Sequence, residues 1–208
     1  MSDSGDFAPI VRSGYDRIVD AYLAQRRGDT ADVELLRHLV ERLAPGSSVL
    51  DAGCGAGVPV ARLLSENFRV TGVDFSPAQI ARARTLVPDA RFLCADLRTV
   101  EFPDAHFDAI CSYYTIIHIP RDDHAALLAR LARFLKPGGL ALLCLGAQDL
   151  PYDHTDDYLG AAMVWSHFDA ATNRHLVEAS GLRIEWTREI GDLPPGGRHI
   201  FVLATRIP

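Results

Sequence analysis

The chain has 208 residues, 48% of them hydrophobic and 23% charged, with 16 glycines, 12 prolines and a formal net charge of −6. That length suits one domain with an ample core, and the composition excludes a disordered or collagen-like chain. No apolar run approaches the ~20 residues of a membrane helix, and the start at Met1 lacks the basic and apolar regions of a signal peptide. A cytoplasmic protein without a membrane partner is expected.

Acidic residues outnumber basic ones, 27 Asp and Glu against 21 Lys and Arg. A phosphate backbone selects basic surface, so nucleic acid is a disfavoured partner. Cys54, Cys94, Cys111 and Cys144 form no CxxC pair, and the last three fall inside apolar runs. Buried free thiols are expected, with neither a disulfide nor a metal site.

In chain order, Tyr15 to Leu43 predicts helix. Val33, Leu36, Val40 and Leu43 line one face, and Pro45-Gly46 stops it. From Ser48 onward strand and helix alternate. Strands are expected at Val49-Leu50, Arg69–Val73, Arg91–Ala95, Phe107–Ser112 and Leu140–Leu145. Helices are expected through Val60 and Leu64, from Pro77 through Arg84, and after Pro120. The last of these carries Leu127, Leu128, Leu131, Phe134 and Leu135 on one face and stops at Pro137-Gly138-Gly139. Residues 146–168 read as an irregular, aromatic and acidic insertion. Asp169 can cap a helix running to Gly181. Two closing strands, Leu182–Glu189 and His199–Thr205, flank the turn-rich segment 191–197.

Such alternation means a parallel sheet with helices on both faces. The last two strands have no helix between them and should pair antiparallel at one edge. One domain over 1–208 is expected, divided into a helical cap (1–45), a ligand-binding core (46–145), a substrate-side insertion (146–168) and a C-terminal helix with its hairpin (169–208).

The most informative segment is Val49-Leu50-Asp51-Ala52-Gly53-Cys54-Gly55-Ala56-Gly57. Strand, glycine turn and helix start bring backbone close to a ligand. A dinucleotide site wants GxGxxG; here the spacing is GxGxG and Val58 takes the third glycine's place. Asp51 would face a pyrophosphate with like charge, and suits an ammonium instead. Asp74 ends the next strand, about twenty residues on, where it can take both hydroxyls of a ribose. Asp96 ends the third. Three acids at the carboxyl ends of neighbouring strands suit a ligand with an ammonium, a ribose and an adenine, which describes S-adenosylmethionine.

On those residues the sequence resembles the class I S-adenosylmethionine-dependent methyltransferases. The matching segments are VLDAGCGAGVPVARLL (49–64), VTGVDFSPAQIARAR (70–84), FLCADLRTVEF (92–102), FDAICSYYTIIHIP (107–120) and LKPGGLALL (135–143). The resemblance implies a three-layer, Rossmann-like α/β fold with a seven-stranded, mostly parallel sheet of order 3-2-1-4-5-7-6. It implies that Asp51, Ala52, Gly53 and Gly55 hold the methionine part and Asp74 the ribose. Phe75 and Ile80 would flank the adenine, with Asp96 and Leu97 at its edge and Ser112-Tyr113 below the methionine. S-adenosylhomocysteine is the implied product.

Methyl transfer is an in-line displacement for which orientation alone supplies roughly 7–11 kcal/mol. A general base matters only where the acceptor must lose a proton. His118, after the fourth strand, and His167, in the insertion, are the candidate bases. Tyr114 and Trp165 are candidate walls of an acceptor pocket. Tyr15 and Tyr22 in the cap could lay a ring against the sulfonium, and Arg26 or Arg27 could pair the methionine carboxylate. His154 among Asp153, Asp156 and Asp157 reads as an exposed acidic loop. Gly146-Ala147-Gln148-Asp149 lacks the Asp-Asn pair of metal-dependent relatives, so no metal is expected. The expected function is metal-independent methylation of a small molecule at oxygen, nitrogen or sulfur, by a monomer or homodimer. A protein that binds the cofactor without methyl transfer, and a nicotinamide-dependent reductase, are the rivals.

Overall fold

The computed structural model describes residues 5–26, 28–190 and 198–207. Arg27 and the turn at 191–197 therefore lie outside the described residues. Seven strands form one sheet: β1 (Ser48–Ala52), β2 (Arg69–Asp74), β3 (Arg91–Cys94), β4 (Phe107–Ser112), β5 (Leu135–Gly146), β8 (Leu182–Ile190) and β9 (His199–Arg206). Their order is β3-β2-β1-β4-β5-β9-β8, and β6 (Leu150–Tyr158) with β7 (Ala161–His167) makes a separate two-stranded sheet. Passing over that hairpin, the order is the expected 3-2-1-4-5-7-6. The strands β1 to β5 are parallel to one another, while β9 runs antiparallel to both β5 and β8.

Successive residues of a strand point to opposite faces, and both faces are covered. Val49, Val70, Cys111, Leu142 and Phe201 join one core; Leu50, Val73, Ile110, Leu143 and Val202 join the other. The first core receives the N-terminal helices α1 (Ala8–Arg17) and α2 (Val19–Gln25), with α3 (Arg37–Val40), α4 (Val60–Ser65) and α5 (Pro77–Leu86). The second receives α6 (His124–Phe134) through Leu127, Leu128, Leu131 and Phe134, and α7 (Ala170–Ala179) through Val177. Burial on both faces is why these strands read as continuous apolar runs without alternation. Asp169 caps α7, its carboxylate accepting from Thr172 N at 2.8 Å, and Gly181 follows with φ +89°.

Four expectations are corrected. The helix over Tyr15–Leu43 is broken: Arg26 is extended, and helix resumes only with a 3₁₀ turn at Val33–Leu36. Asp32, fully buried before that turn, accepts from the Tyr113 and Tyr114 hydroxyls, and these partners lie more than a helix away. The insertion is an antiparallel hairpin, its outer strand exposed and its inner strand buried. The helix after Pro120 ends at Phe134, and Lys136-Pro137-Gly138-Gly139 belong to β5. Cys94 is exposed on the edge strand β3, whereas Cys54, Cys111 and Cys144 are buried.

Candidate active site

At the carboxyl end of β1 the chain turns sharply enough to need glycine. Gly53 has φ +84°, and a Cβ there would lie 1.8 Å from Thr115 Oγ1. That close approach locks the β1 turn against the β4 turn, where Thr115 Oγ1 donates to Gly53 O at 3.2 Å. The neighbouring Tyr114 has φ +54°, a left-handed conformation costly for an aromatic residue. It is held by its hydroxyl bond to Asp32 at 3.1 Å and by edge contacts to His199 and Phe201.

Between these turns and the cap lies a cavity. Asp74 opens onto it, its two oxygens accepting from Gly55 N and Ser76 N, each at 2.9 Å. Burial pushes the Asp74 carboxyl up to about 6 against those two amides. A connected lobe reaches Asp51, 1% exposed, whose Oδ1 accepts from the Cys111 thiol at 3.8 Å. Its Oδ2 has no hydrogen bond, and burial pushes its carboxyl up to about 7, with Asp74 adding to the rise. A buried carboxylate with an orphaned oxygen beside a second carboxylate favours a cationic group at that oxygen. The donor set therefore fits a ligand carrying an ammonium group with a hydroxylated sugar nearby.

The cap closes the cavity from above with Ala8, Val11, Tyr15 and Tyr22. Asp16 on α1 accepts from Ser76 Oγ at 2.5 Å and from Ala78 N at 3.2 Å, capping α5 from another helix. Arg98 ties Asp6, just before α1, to Asp96 and Asp123. The far wall is His118, 8% exposed. Its Nδ1 lies 2.7 Å from Val164 O, which can only accept, so Nδ1 carries the proton. Nε2 is then a bare lone pair that accepts from the Tyr15 hydroxyl at 2.9 Å. Burial lowers the imidazole to about 4, so the ring is neutral near pH 7.

Of the residues singled out in the sequence, Tyr15, Tyr22, Gly53, Gly55, Asp74, Phe75, Asp96, Leu97, Tyr113, Tyr114 and His118 line the cavity, and Asp51 its connected lobe. Ala52, Ile80 and Ser112 do not: they are buried, with Ser112 Oγ donating to Ala52 O at 2.9 Å. Trp165 stands behind His118, ring centres 5.6 Å apart. His167 is not among the lining residues; its Nδ1 bonds Gln148 O at 2.8 Å and its ring fills the space over Gly146. Arg26 reaches the lobe from the cap but is paired with Asp32 at 3.6 Å. Asp96 gives both oxygens to Arg98.

Sequence reasoning missed Gln79 and Arg98 as lining residues. The capping Ser76-Pro77 start of α5 could have suggested Gln79, which lies one turn in. Nothing local marks Arg98 or the buried Asp32. Among the described residues, no three His, Cys, Asp or Glu side chains stand together so as to hold a metal ion, and no helix is long and apolar enough to cross a membrane.

Residues 49–139 match a family model described as a methyltransferase domain. A 2-methyl-6-phytyl-1,4-hydroquinone methyltransferase of Synechocystis is 38% identical over 109 residues, covering 50% of this chain but only 33% of that protein. Among solved structures, the 1,6-didemethyltoxoflavin-N1-methyltransferase of Burkholderia thailandensis, with S-adenosylhomocysteine bound, superposes with a TM-score of 0.72 at 22% identity. It covers 97% of this chain and 89% of its own. A (4+2)-cyclase, SpnF, superposes with a TM-score of 0.70 at 19% identity over 93% of this chain and 94% of its own. At these identities the two structures testify to fold alone. The matched segment runs from β1 through the start of β5 and contains Asp51, Asp74 and Asp96, and over that stretch the chain is similar to methyltransferases.

Proposed function

We propose that the chain, acting as one domain over 1–208, transfers a methyl group from S-adenosylmethionine to a small-molecule acceptor without a metal. The observation that carries this is the buried Asp51 carboxylate, orphaned at Oδ2 and paired in charge with Asp74 beside the glycine turn. When bound, the cofactor supplies a methyl group on a cationic sulfur. In this reading Asp51, Gly53 and Gly55 receive the amino-acid end and Asp74 the ribose. Phe75, Asp96 and Leu97 take the base, and Tyr15 and Tyr22 in the cap exclude water. His118 is the candidate to accept a proton from the acceptor, through the lone pair that Tyr15 now occupies. A group held near 4 is a weak base, so positioning is expected to do most of the work. The Synechocystis relative, named for a hydroquinone, and the toxoflavin-precursor enzyme support a small-molecule acceptor.

The test is calorimetric titration with S-adenosylmethionine, S-adenosylhomocysteine and, as a control, NADH. Binding of the first two alone is expected, weakened at least tenfold in Asp74→Ala. Unchanged affinity in that variant removes the ribose assignment. The likeness of fold to a cyclase keeps one other reading in view, cofactor binding without methyl transfer. Product analysis after incubation with acceptors and S-adenosylmethionine separates the two.

A further inference from the structure

Ser76-Pro77-Ala78-Gln79 opens α5 with the spacing of a capping box. In that motif the first hydroxyl accepts from the fourth residue's N–H, and the fourth side chain accepts from the first residue's N–H. Only half of the box is made. Ser76 Oγ accepts from Gln79 N at 3.1 Å, but the Ser76 N–H donates to Asp74 Oδ1 at 2.9 Å. The Gln79 side chain is thereby released from the helix end, and it lines the cavity instead. The cap tells its two ends apart: Tyr15 O can only accept, and Gln79 Nε2 donates to it at 3.4 Å. Oε1 is then the free end, standing over Gly55, where a Cβ would lie 3.7 Å from it. Gln79 is 1% exposed and its Oε1 has no hydrogen bond, a costly state for a buried amide oxygen.

Gly55 also locates the donor that this oxygen lacks, an inference that rests on S-adenosylmethionine as the cofactor. Gly55 N donates to Asp74 Oδ2 at 2.9 Å, so Gln79 Oε1 and the ribose acid flank one glycine. The lobe that holds Asp51, assigned to the ammonium, does not include Gln79 among its described lining residues. A ribose brings two hydroxyl protons. Each Asp74 oxygen already accepts a backbone N–H, whereas Gln79 Oε1 accepts nothing. Sending both protons to Asp74 would seal Oε1 unpaired beneath the ligand, while dividing them leaves every acceptor satisfied.

We propose that Gln79 is a second ribose-reading residue, its Oε1 accepting one hydroxyl while Asp74 accepts the other, and its Nε2 tying the same side chain to the cap through Tyr15 O. S-adenosylhomocysteine and its 2′-deoxy and 3′-deoxy forms are titrated calorimetrically into the parent, Gln79→Met and Gln79→Glu. In the parent each deoxy form is expected to bind about tenfold more weakly than S-adenosylhomocysteine. Met is unbranched and has neither polar end. In Gln79→Met one deoxy form should therefore lose its penalty, binding within about twofold of S-adenosylhomocysteine, while the other keeps it. Gln79→Glu retains an acceptor oxygen in either charge state and should regain most of the discrimination. Gln79→Met weakening all three ligands by the same factor, as a merely structural role would, overturns the proposal; so does Gln79→Met binding all three as the parent does. The parent carries an independent readout in its Gln79 side-chain amide resonances, which one deoxy form should fail to shift as S-adenosylhomocysteine does. Equal shifts from all three ligands also overturn it. Failure of S-adenosylhomocysteine to bind the parent is a different result, and removes the cofactor reading beneath it.

Discussion

Replacing Asp51 by Asn should make the ligand-free protein more stable near neutral pH while weakening its hold on the cofactor. Burial raises the Asp51 carboxyl from an ordinary 3.8 to about 7. Because the folded value lies above the unfolded one, the neutral carboxyl favours folding at low pH. That contribution is complete below about pH 4 and gone above about pH 7. A rise of about three units corresponds to roughly 4 kcal/mol at 1.36 kcal/mol per unit. Asn cannot ionise, so the variant escapes this loss, but its amide inherits a site with an orphaned position, at a cost of about 1–3 kcal/mol. The net gain expected at about pH 8 is then roughly 1–3 kcal/mol, several degrees of melting temperature for a chain of this size. At about pH 4.5 the gain should vanish or reverse. Cofactor affinity should fall at least tenfold in the variant. In the unaltered protein it should fall as pH drops below about 7, where Asp51 takes up a proton. Thermal unfolding and calorimetry at both pH values, with and without S-adenosylmethionine, measure all of this. A variant less stable than the parent at both pH values, binding the cofactor equally well, refutes the reasoning.

Gly53→Ala combines a left-handed φ with a Cβ set inside the Thr115 side chain. A loss of about 2–4 kcal/mol is expected from urea unfolding, and a loss under ~0.5 kcal/mol would show that the two turns yield freely. Asp16→Ala removes the side chain that caps α5 from α1. Amide exchange within α1 should quicken severalfold, matching about 1 kcal/mol, with α6 unaffected as the internal control. Asp169→Ala removes the N-cap of α7 and should cost about 1 kcal/mol, recovered largely by Asp169→Ser.

The elements legible in the sequence are those whose signals are local. Phe107–Ser112 and the Asp169 cap were read to the residue because apolar runs, capping side chains and glycine stops act over a few positions. The order of strands and the three acids at their carboxyl ends were legible too, since βα alternation has one dominant handedness and one ligand-binding edge. Pairing across distance decided the remainder. Residues 146–168 form a hairpin because Asp153 pairs with Trp165 and Thr155 with Met163, and their polar outer strand carries no apolar alternation to announce it. The cap breaks at Arg26 because Asp32 is anchored by the tyrosines that follow β4. His118 and His167 look alike in sequence, yet one faces the cavity and one packs over Gly146, and Tyr15 meets His118 across 103 positions. Local pattern alone marks which acids and glycines stand at the sheet's ligand-binding edge. Their charge state and company come from the folded packing, because desolvation and hydrogen bonding depend on what the whole chain places around them.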